Sequence, residues 1–130
     1  MMQKTWKTES LRFVKMVFDI HRDSIARKDS TFIANGKEYA KVALIVSRTS
    51  KNYDENVDFA ELLHAIIEQK YPGISRGVIV KNGKAQSTYN QDLIGESVLM
   101  NIGGIDNTLE EEFRAADILA TIIKEIIETN

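Results

Sequence analysis

The chain holds two histidines and no cysteine, so a Cys-based zinc site is excluded and the histidines are the first residues to weigh as metal ligands. His21 follows the apolar run from Leu11 to Ile20 and opens the polar cluster His21-Arg22-Asp23-Ser24. A strand ending there delivers an imidazole to the end of a sheet, as a packed, hydrogen-bonded side chain or as a metal ligand. In the second case Asp19 or Asp23 would orient the ring, as ligating imidazoles usually require. A second polar strand end reads Ser97-Val98-Leu99-Met100 and then Asn101-Ile102-Gly103-Gly104. The glycine pair suits a close backbone approach to a ligand or a bend into the next element, and we read the bend. His64 stands in a helical pattern whose apolar face lies on its neighbours, and it has no partner at ligand spacing. It reads as a surface or boundary residue. Glu110-Glu111-Glu112 falls in the first turn of a helix, where carboxylates interact favourably with the macrodipole, so it is not a metal cluster.

These residues need a scaffold, and its order is legible. Leu11–Ile20 is rich in β-branched and aromatic side chains and predicts a buried strand. Thr31–Ala34 and Lys37–Ala40 flank Asn35-Gly36, a pair suited to a type I′ hairpin turn. Val42-Ala43-Leu44-Ile45-Val46 is continuously apolar, as in a strand covered on both faces. Asp54 is the expected cap of a helix in which Phe59, Ala60, Leu63, Ile66 and Ile67 recur at helical spacing, and Pro72-Gly73 stops it. Gly77–Val80 and Ser97–Met100 predict two short strands. Thr108 and Glu111 form a capping-box pattern ahead of an apolar stripe of Phe113, Ala116, Leu119, Ala120, Ile123 and Ile127. Strands alternating with two long helices predict one α/β domain over residues 1–130, with a central mixed sheet flanked by helices. Ligands in such folds gather beyond the carboxyl ends of strands, which returns attention to His21 and Asn101.

Composition narrows the function classes. The 130 residues are 43% hydrophobic, enough for one core without a metal or disulfide staple. Seventeen Lys and Arg against nineteen Asp and Glu give a net charge of −2, with no long block of either sign. The basic footprint of a nucleic-acid binder is absent, so no nucleic-acid partner is expected. No apolar run reaches the roughly 18–20 residues that span a bilayer, and the N-terminus lacks the apolar segment of a signal peptide. On this reading the chain is soluble and cytoplasmic if it is the full protein.

Several short motifs occur together in a recognisable order. They are Asp19-Ile20-His21-Arg22-Asp23, Ala43-Leu44-Ile45-Val46, Asn56, Phe59-Ala60, Tyr71-Pro72-Gly73-Ile74-Ser75-Arg76-Gly77, Tyr89-Asn90-Gln91-Asp92-Leu93 and the run from Ile102 to Glu111. In this order and approximate spacing the chain resembles the stage II sporulation protein P family, a branch of the zinc-dependent N-acetylmuramoyl-L-alanine amidases. The resemblance runs from about Phe13 to about Ile123 and covers the C-terminal half of the family's catalytic domain. It implies a truncated amidase fold of the phosphorylase/hydrolase-like type, peptidoglycan as substrate, and a membrane-anchored, extracytoplasmic setting. It also implies a zinc ion held by a His and a Glu from an earlier segment together with His21. Arg76, Asn90 and Gln91 would lie near the substrate groove, where they would contact carboxylates, carbonyls or sugar hydroxyls, or serve ordinary turn chemistry.

Two departures from the family pattern change the expected chemistry. His21 is the single remaining metal-ligand position, whereas zinc sites generally take three or four protein ligands. Asn101 stands where the family's strand ends in the catalytic Glu. A zinc-bound water gives up its proton to that carboxylate during attack, and the same group then protonates the leaving amine. An Asn amide cannot do this at neutral pH, and general acid–base catalysis is worth about 10²–10⁴ in rate. The expectation is an amidase-like chain that binds no zinc and hydrolyses nothing, or a non-catalytic remnant that binds peptidoglycan or protein. Loss of the family's other strands would expose the strand bearing Val17 and Phe18, so a homo-oligomer is expected.

Overall fold

The computed structural model describes residues 15–82 and 90–129. Six strands and three helices follow in the order β1 (Val17–Asp23), α1 (Arg27–Ser30), β2 (Thr31–Ala34), β3 (Lys37–Ala40), β4 (Val42–Ser47), α2 (Tyr53–Lys70), β5 (Ser75–Lys81), β6 (Ser97–Gly104) and α3 (Leu109–Thr129). β1, β6, β4 and β5 form a four-stranded sheet in that spatial order, and β2 and β3 form a separate hairpin. β1 runs parallel to β6 and β4 parallel to β5, while β6 and β4 are antiparallel. The sheet is therefore mixed, as the alternation of elements predicts.

Because side chains alternate across a strand, each sheet face draws on every second residue. Val42, Leu44 and Val46 of β4 and Val98, Met100 and Ile102 of β6 share one face. Both long helices pack there, through Phe59, Ala60, Leu63 and Ile67 of α2 and Ala115, Ile118, Leu119, Ile122 and Ile126 of α3. The other face carries a smaller cluster of Ala43, Ile45 and Leu99, with Ile79 against it. β4 is buried along its whole length, which explains its unbroken apolar run.

Several boundaries differ from the sequence expectation for identifiable reasons. Leu11–Val14 lie outside the described residues, and β1 continues through His21 to Asp23, paired all the way to β6. β6 extends past Met100 to Gly104 because it has a partner on each side, β1 at one edge and Val42 of β4 opposite Ile102. The N-cap of α2 is Asn52 rather than Asp54. Its side chain does not cap the helix, because its amide donates to the carbonyls of Gln91 and Asp92. α3 is rolled relative to the expected stripe. Leu119 is common to both sets, but the buried positions are Ala115, Ile118, Ile122 and Ile126, whereas Phe113 and Ile127 are exposed. The helix is apolar over two adjacent stripes, and periodicity alone does not say which of them meets the sheet.

Local chemistry does hold where it depends on neighbours in sequence. Asn35 and Gly36 both have positive φ, 52° and 77°, as a type I′ turn demands. The capping box forms with Glu111 N–H donating to Thr108 Oγ1 at 3.2 Å and Thr108 N–H donating to Glu111 Oε1 at 3.0 Å. Gly103 makes the expected bend, with φ of 71°. A Cβ there would lie 2.8 Å from Asn107 Oδ1 and 2.9 Å from Ala40 Cβ. Gly103→Ala is therefore expected to cost about 2 kcal/mol, through both a strained backbone and overpacking, read as a lower midpoint in urea unfolding. No helix among the described residues is long and apolar enough to cross a membrane.

Candidate functional site

The site lies where β1 and β6 end and β4 and β5 begin. His21 pairs directly with Asn101, and Asn101 pairs on its other side with Ala43, which pairs with Gly77. Paired residues of neighbouring strands point to the same face, so the imidazole and the amide stand side by side on the face away from the helices. His21 Nε2 lies 2.8 Å from Asp19 Oδ1, two residues back on the same face. Of the two carboxylates expected near the ring, Asp19 is the one that touches it.

Asp23 has a different partner. Its Oδ2 accepts from Arg76 Nη1 at 2.8 Å and its Oδ1 accepts from Ser24 N–H at 2.7 Å. The Arg76 hydrogen bond holds the Asp23 carboxyl below the usual carboxylate range, against a smaller opposing effect of burial. Asp23 is on β1 and Arg76 on β5, with β6 and β4 between them. The pair thus spans the sheet at the end where His21 and Asn101 stand, and it holds Arg76 toward them. Nothing in the spacing of two residues 53 apart announces this contact.

Behind the site, β6 turns into α3 over an ionic platform centred on the buried Glu111. Gly104 N–H donates to Asn107 Oδ1, and Asn107 Nδ2 donates to Thr31 Oγ1 and Glu111 Oε1. Glu111, 4% exposed, takes both guanidinium nitrogens of Arg27, which also reaches Glu38 and the carbonyl of Asp106. The Arg27 bond is the main reason that the Glu111 carboxyl sits at about 2 rather than 4.5, and the bonds from Asn107 and Thr108 add to it. Arg27 is correspondingly held more firmly in its charged form.

Asn90 and Gln91 are elsewhere. Gln91 is fully buried, its Oε1 accepting from Ser47 N–H at 2.8 Å and its Nε2 donating to the Ile45 carbonyl at 2.9 Å. Ser47 ends β4, whereas Ala43, beside Asn101, stands near its start, so this amide belongs to the far end of the sheet. Asn90 is exposed and takes φ of 66°, the left-handed conformation that Asn tolerates in turns. Tyr89 lies outside the described residues. His64 is a boundary residue as expected, with Nδ1 2.7 Å from Ser75 Oγ, a tie between α2 and β5.

The described residues do not by themselves fit a zinc ion. Among them no three His, Cys, Asp or Glu side chains come together, and His21 offers one imidazole whose Nε2 already faces Asp19. What the strand ends present is a polar surface of imidazole, amide and a carboxylate-paired guanidinium, suited to binding amides, carboxylates and hydroxyls.

Comparison with known proteins bears on this geometry. The family model for stage II sporulation protein P matches residues 5–124, nearly the whole chain. The chain belongs to the stage II sporulation protein P family. Stage II sporulation protein P of Bacillus subtilis (strain 168) is 45% identical over 114 residues, which are 87% of this chain and 28% of that protein. The chain thus spans little more than a quarter of that family member, and membership ties it to sporulation. No solved structure matches it.

Proposed function

We propose that this chain carries the C-terminal half of an amidase-type domain of the family, that it engages peptidoglycan through the strand ends around His21, Asn101 and Arg76, and that it does not hydrolyse it. The observation that carries the reading is the direct pairing of His21 with Asn101 on one face. The position beside the imidazole, where the resemblance calls for a proton-transferring carboxylate, holds an amide that neither takes nor returns a proton at neutral pH. Zinc is the metal the resemblance implies, and these residues contribute one ligand toward it, so no hydrolytic step is assigned to them. Arg76, pinned by Asp23, suits a carboxylate or carbonyl of a peptide stem. A second reading, a binding remnant that self-associates, is favoured by the edge position that β1 holds among the described residues.

Purified sacculi provide the test. With added zinc, the chain is expected to bind sacculi and to release no soluble muropeptide above buffer, and Asn101→Glu alone is expected to leave that unchanged. Release by the unmodified chain would sink the non-hydrolytic reading. Release only after Asn101→Glu would show that a metal site exists away from the single ligand at His21.

A further inference from the structure

In the parallel pair of β4 and β5, β5 carries one residue too many. Val42 pairs with Ser75 and Ala43 with Gly77, so Arg76 has no partner in the register. An extra residue of this kind is a β-bulge, rare between parallel strands and over-represented beside active sites, where it re-aims a side chain. The local sequence builds it. Gly77 takes φ of 91°, which glycine adopts freely and other residues rarely do. Its N–H donates to Ser75 Oγ at 3.0 Å. The same hydroxyl lies 2.7 Å from His64 Nδ1. Ser75 stands opposite Val42, on the face that the helices cover, so α2 braces the bulge from that side of the sheet.

The bulge has a counterpart in the space beside it. His21, Asn101, Ala43 and Gly77 form one row of paired residues, and the row dwindles from an imidazole and an amide to a methyl group and a bare backbone. A Cβ on Gly77 would meet no atom within 4 Å, so the end of the row next to Arg76 is open. Arg76 Nη1 donates to Asp23 Oδ2 at 2.8 Å, and its other N–H groups have no partner among the described residues. Each of the two side chains is 23% exposed. A guanidinium held by one nitrogen keeps the rest of its planar fork for a second acceptor, and a carboxylate matches that fork with two parallel hydrogen bonds. Lys81, on the same strand, is a second cation that acts on Asp23, so Asp23 leaves one of the two positive charges unbalanced.

We propose that the Ser75-Arg76-Gly77 bulge aims Arg76 at a carboxylate of the peptide stem, with Asp23, Ser75, Gly77 and His64 as its positioning residues. Asp23 fixes the tip of the guanidinium, Gly77 and the Ser75 hydroxyl fix the backbone from which it extends, and His64 ties that hydroxyl to α2. The assignment rests on the reading above that these strand ends engage peptidoglycan, and it commits the Arg76 contact to a carboxylate rather than a carbonyl. It also gives His64, which stands away from the strand ends, a role at the site.

The test compares untreated sacculi with sacculi whose carboxyl groups have been converted to amides by carbodiimide and ammonia. In co-sedimentation the full chain is expected to bind the untreated wall roughly tenfold more tightly, the worth of one charge-assisted hydrogen bond. Arg76→Gln is expected to bind both alike. Ser75→Ala is expected to lose most of the preference and Ser75→Thr, which keeps the hydroxyl, to restore it. His64→Ala removes the brace without altering β5 and is expected to weaken the preference in the same sense. The ratio of the two affinities is the readout, because a general loss of stability acts on both equally. Equal binding of both walls by the unmodified chain, or a preference that Ser75→Ala and His64→Ala leave untouched, would overturn the proposal while leaving peptidoglycan engagement standing. Binding to neither wall would overturn both. Muropeptide release would sink the non-hydrolytic reading and leave the carboxylate preference intact.

Discussion

Glu111→Ala is expected to destabilise the chain by about 3 kcal/mol, measured as a shift in the denaturant midpoint at neutral pH. The loss combines the reciprocal cap at the start of α3, worth about 1 kcal/mol, with charge-assisted hydrogen bonds from Arg27 worth about 1.5–3 kcal/mol. Arg27 keeps Glu38, which limits the damage. The same residue sets an acid limit. Its carboxyl lies at about 2 in the folded chain against 4.5 for the free group. A depressed carboxylate contributes stability that is fully present above the unfolded value and is lost as pH falls through the folded one. Acid unfolding driven by Glu111 should therefore develop between about pH 4.5 and about pH 2. In Glu111→Gln the slope of stability with pH in that window is expected to flatten. An unchanged slope would mean that Glu111 titrates normally in the fold. Because Glu111 anchors the turn after Gly104, its loss is also expected to loosen the strand end that carries Asn101.

Asn56→Ala is expected to cost a similar amount, about 3 kcal/mol, for a different reason. Asn56 is fully buried near the start of α2. Its Nδ2 donates to the carbonyls of Gly95 at 2.8 Å and Ile94 at 3.3 Å, and its Oδ1 accepts from Ser50 Oγ at 2.6 Å. One side chain thus satisfies backbone groups of the segment leading into β6 and a hydroxyl of the loop before α2. Alanine would leave those carbonyls buried without donors, whereas exposed positions on the same helix, such as Glu61, should tolerate alanine with little effect. Amide hydrogen exchange over residues 90–97 is the sharper readout, because protection there should fall more than in β4. Equal loss everywhere would mean that Asn56 supports the core generally and not this junction.

These two residues illustrate what was legible beforehand. The Thr108–Glu111 box could be read because both halves lie within one turn and the geometry of a helix start is fixed. The Asn35-Gly36 turn could be read because its backbone demands positive φ at two adjacent positions. Arg27 could not be assigned to Glu111, nor Asn56 to Gly95, since those contacts join segments far apart in the chain. Asp23 and Arg76 are the same case at the site itself. Gln91 shows the reverse difficulty. A polar side chain in a turn near the last strand invites a ligand-binding reading, but its amide fits the backbone polar groups of β4, and only the packing of the loop reveals that.

The roll of α3 has the widest consequence. Its sequence is apolar at both Ala115-Ile118-Ile122-Ile126 and Phe113-Ala116-Ala120-Ile123, and a wide apolar arc predicts a helix without saying which edge of the arc meets the sheet. Packing against β6 chose the first set and left the second toward β1, where Ala116, Ala120 and Ile123 line a small cavity with Phe18 and Ile20.

By itself the amino-acid sequence determined the hairpin, the two long helices and the order of the strands between them, the mixed α/β class and the family, and it put His21 and Asn101 on two of those strands. Those properties follow from periodicity, turn chemistry and residue type, all of which act over a few neighbouring positions. The tertiary structure alone decided that His21 and Asn101 are adjacent, that Arg76 reaches Asp23 across two strands, and that Gln91 points into the fold. Each of these depends on strand order and register, which arise from burial and hydrogen bonding summed over the whole sheet and leave no local mark on the chain.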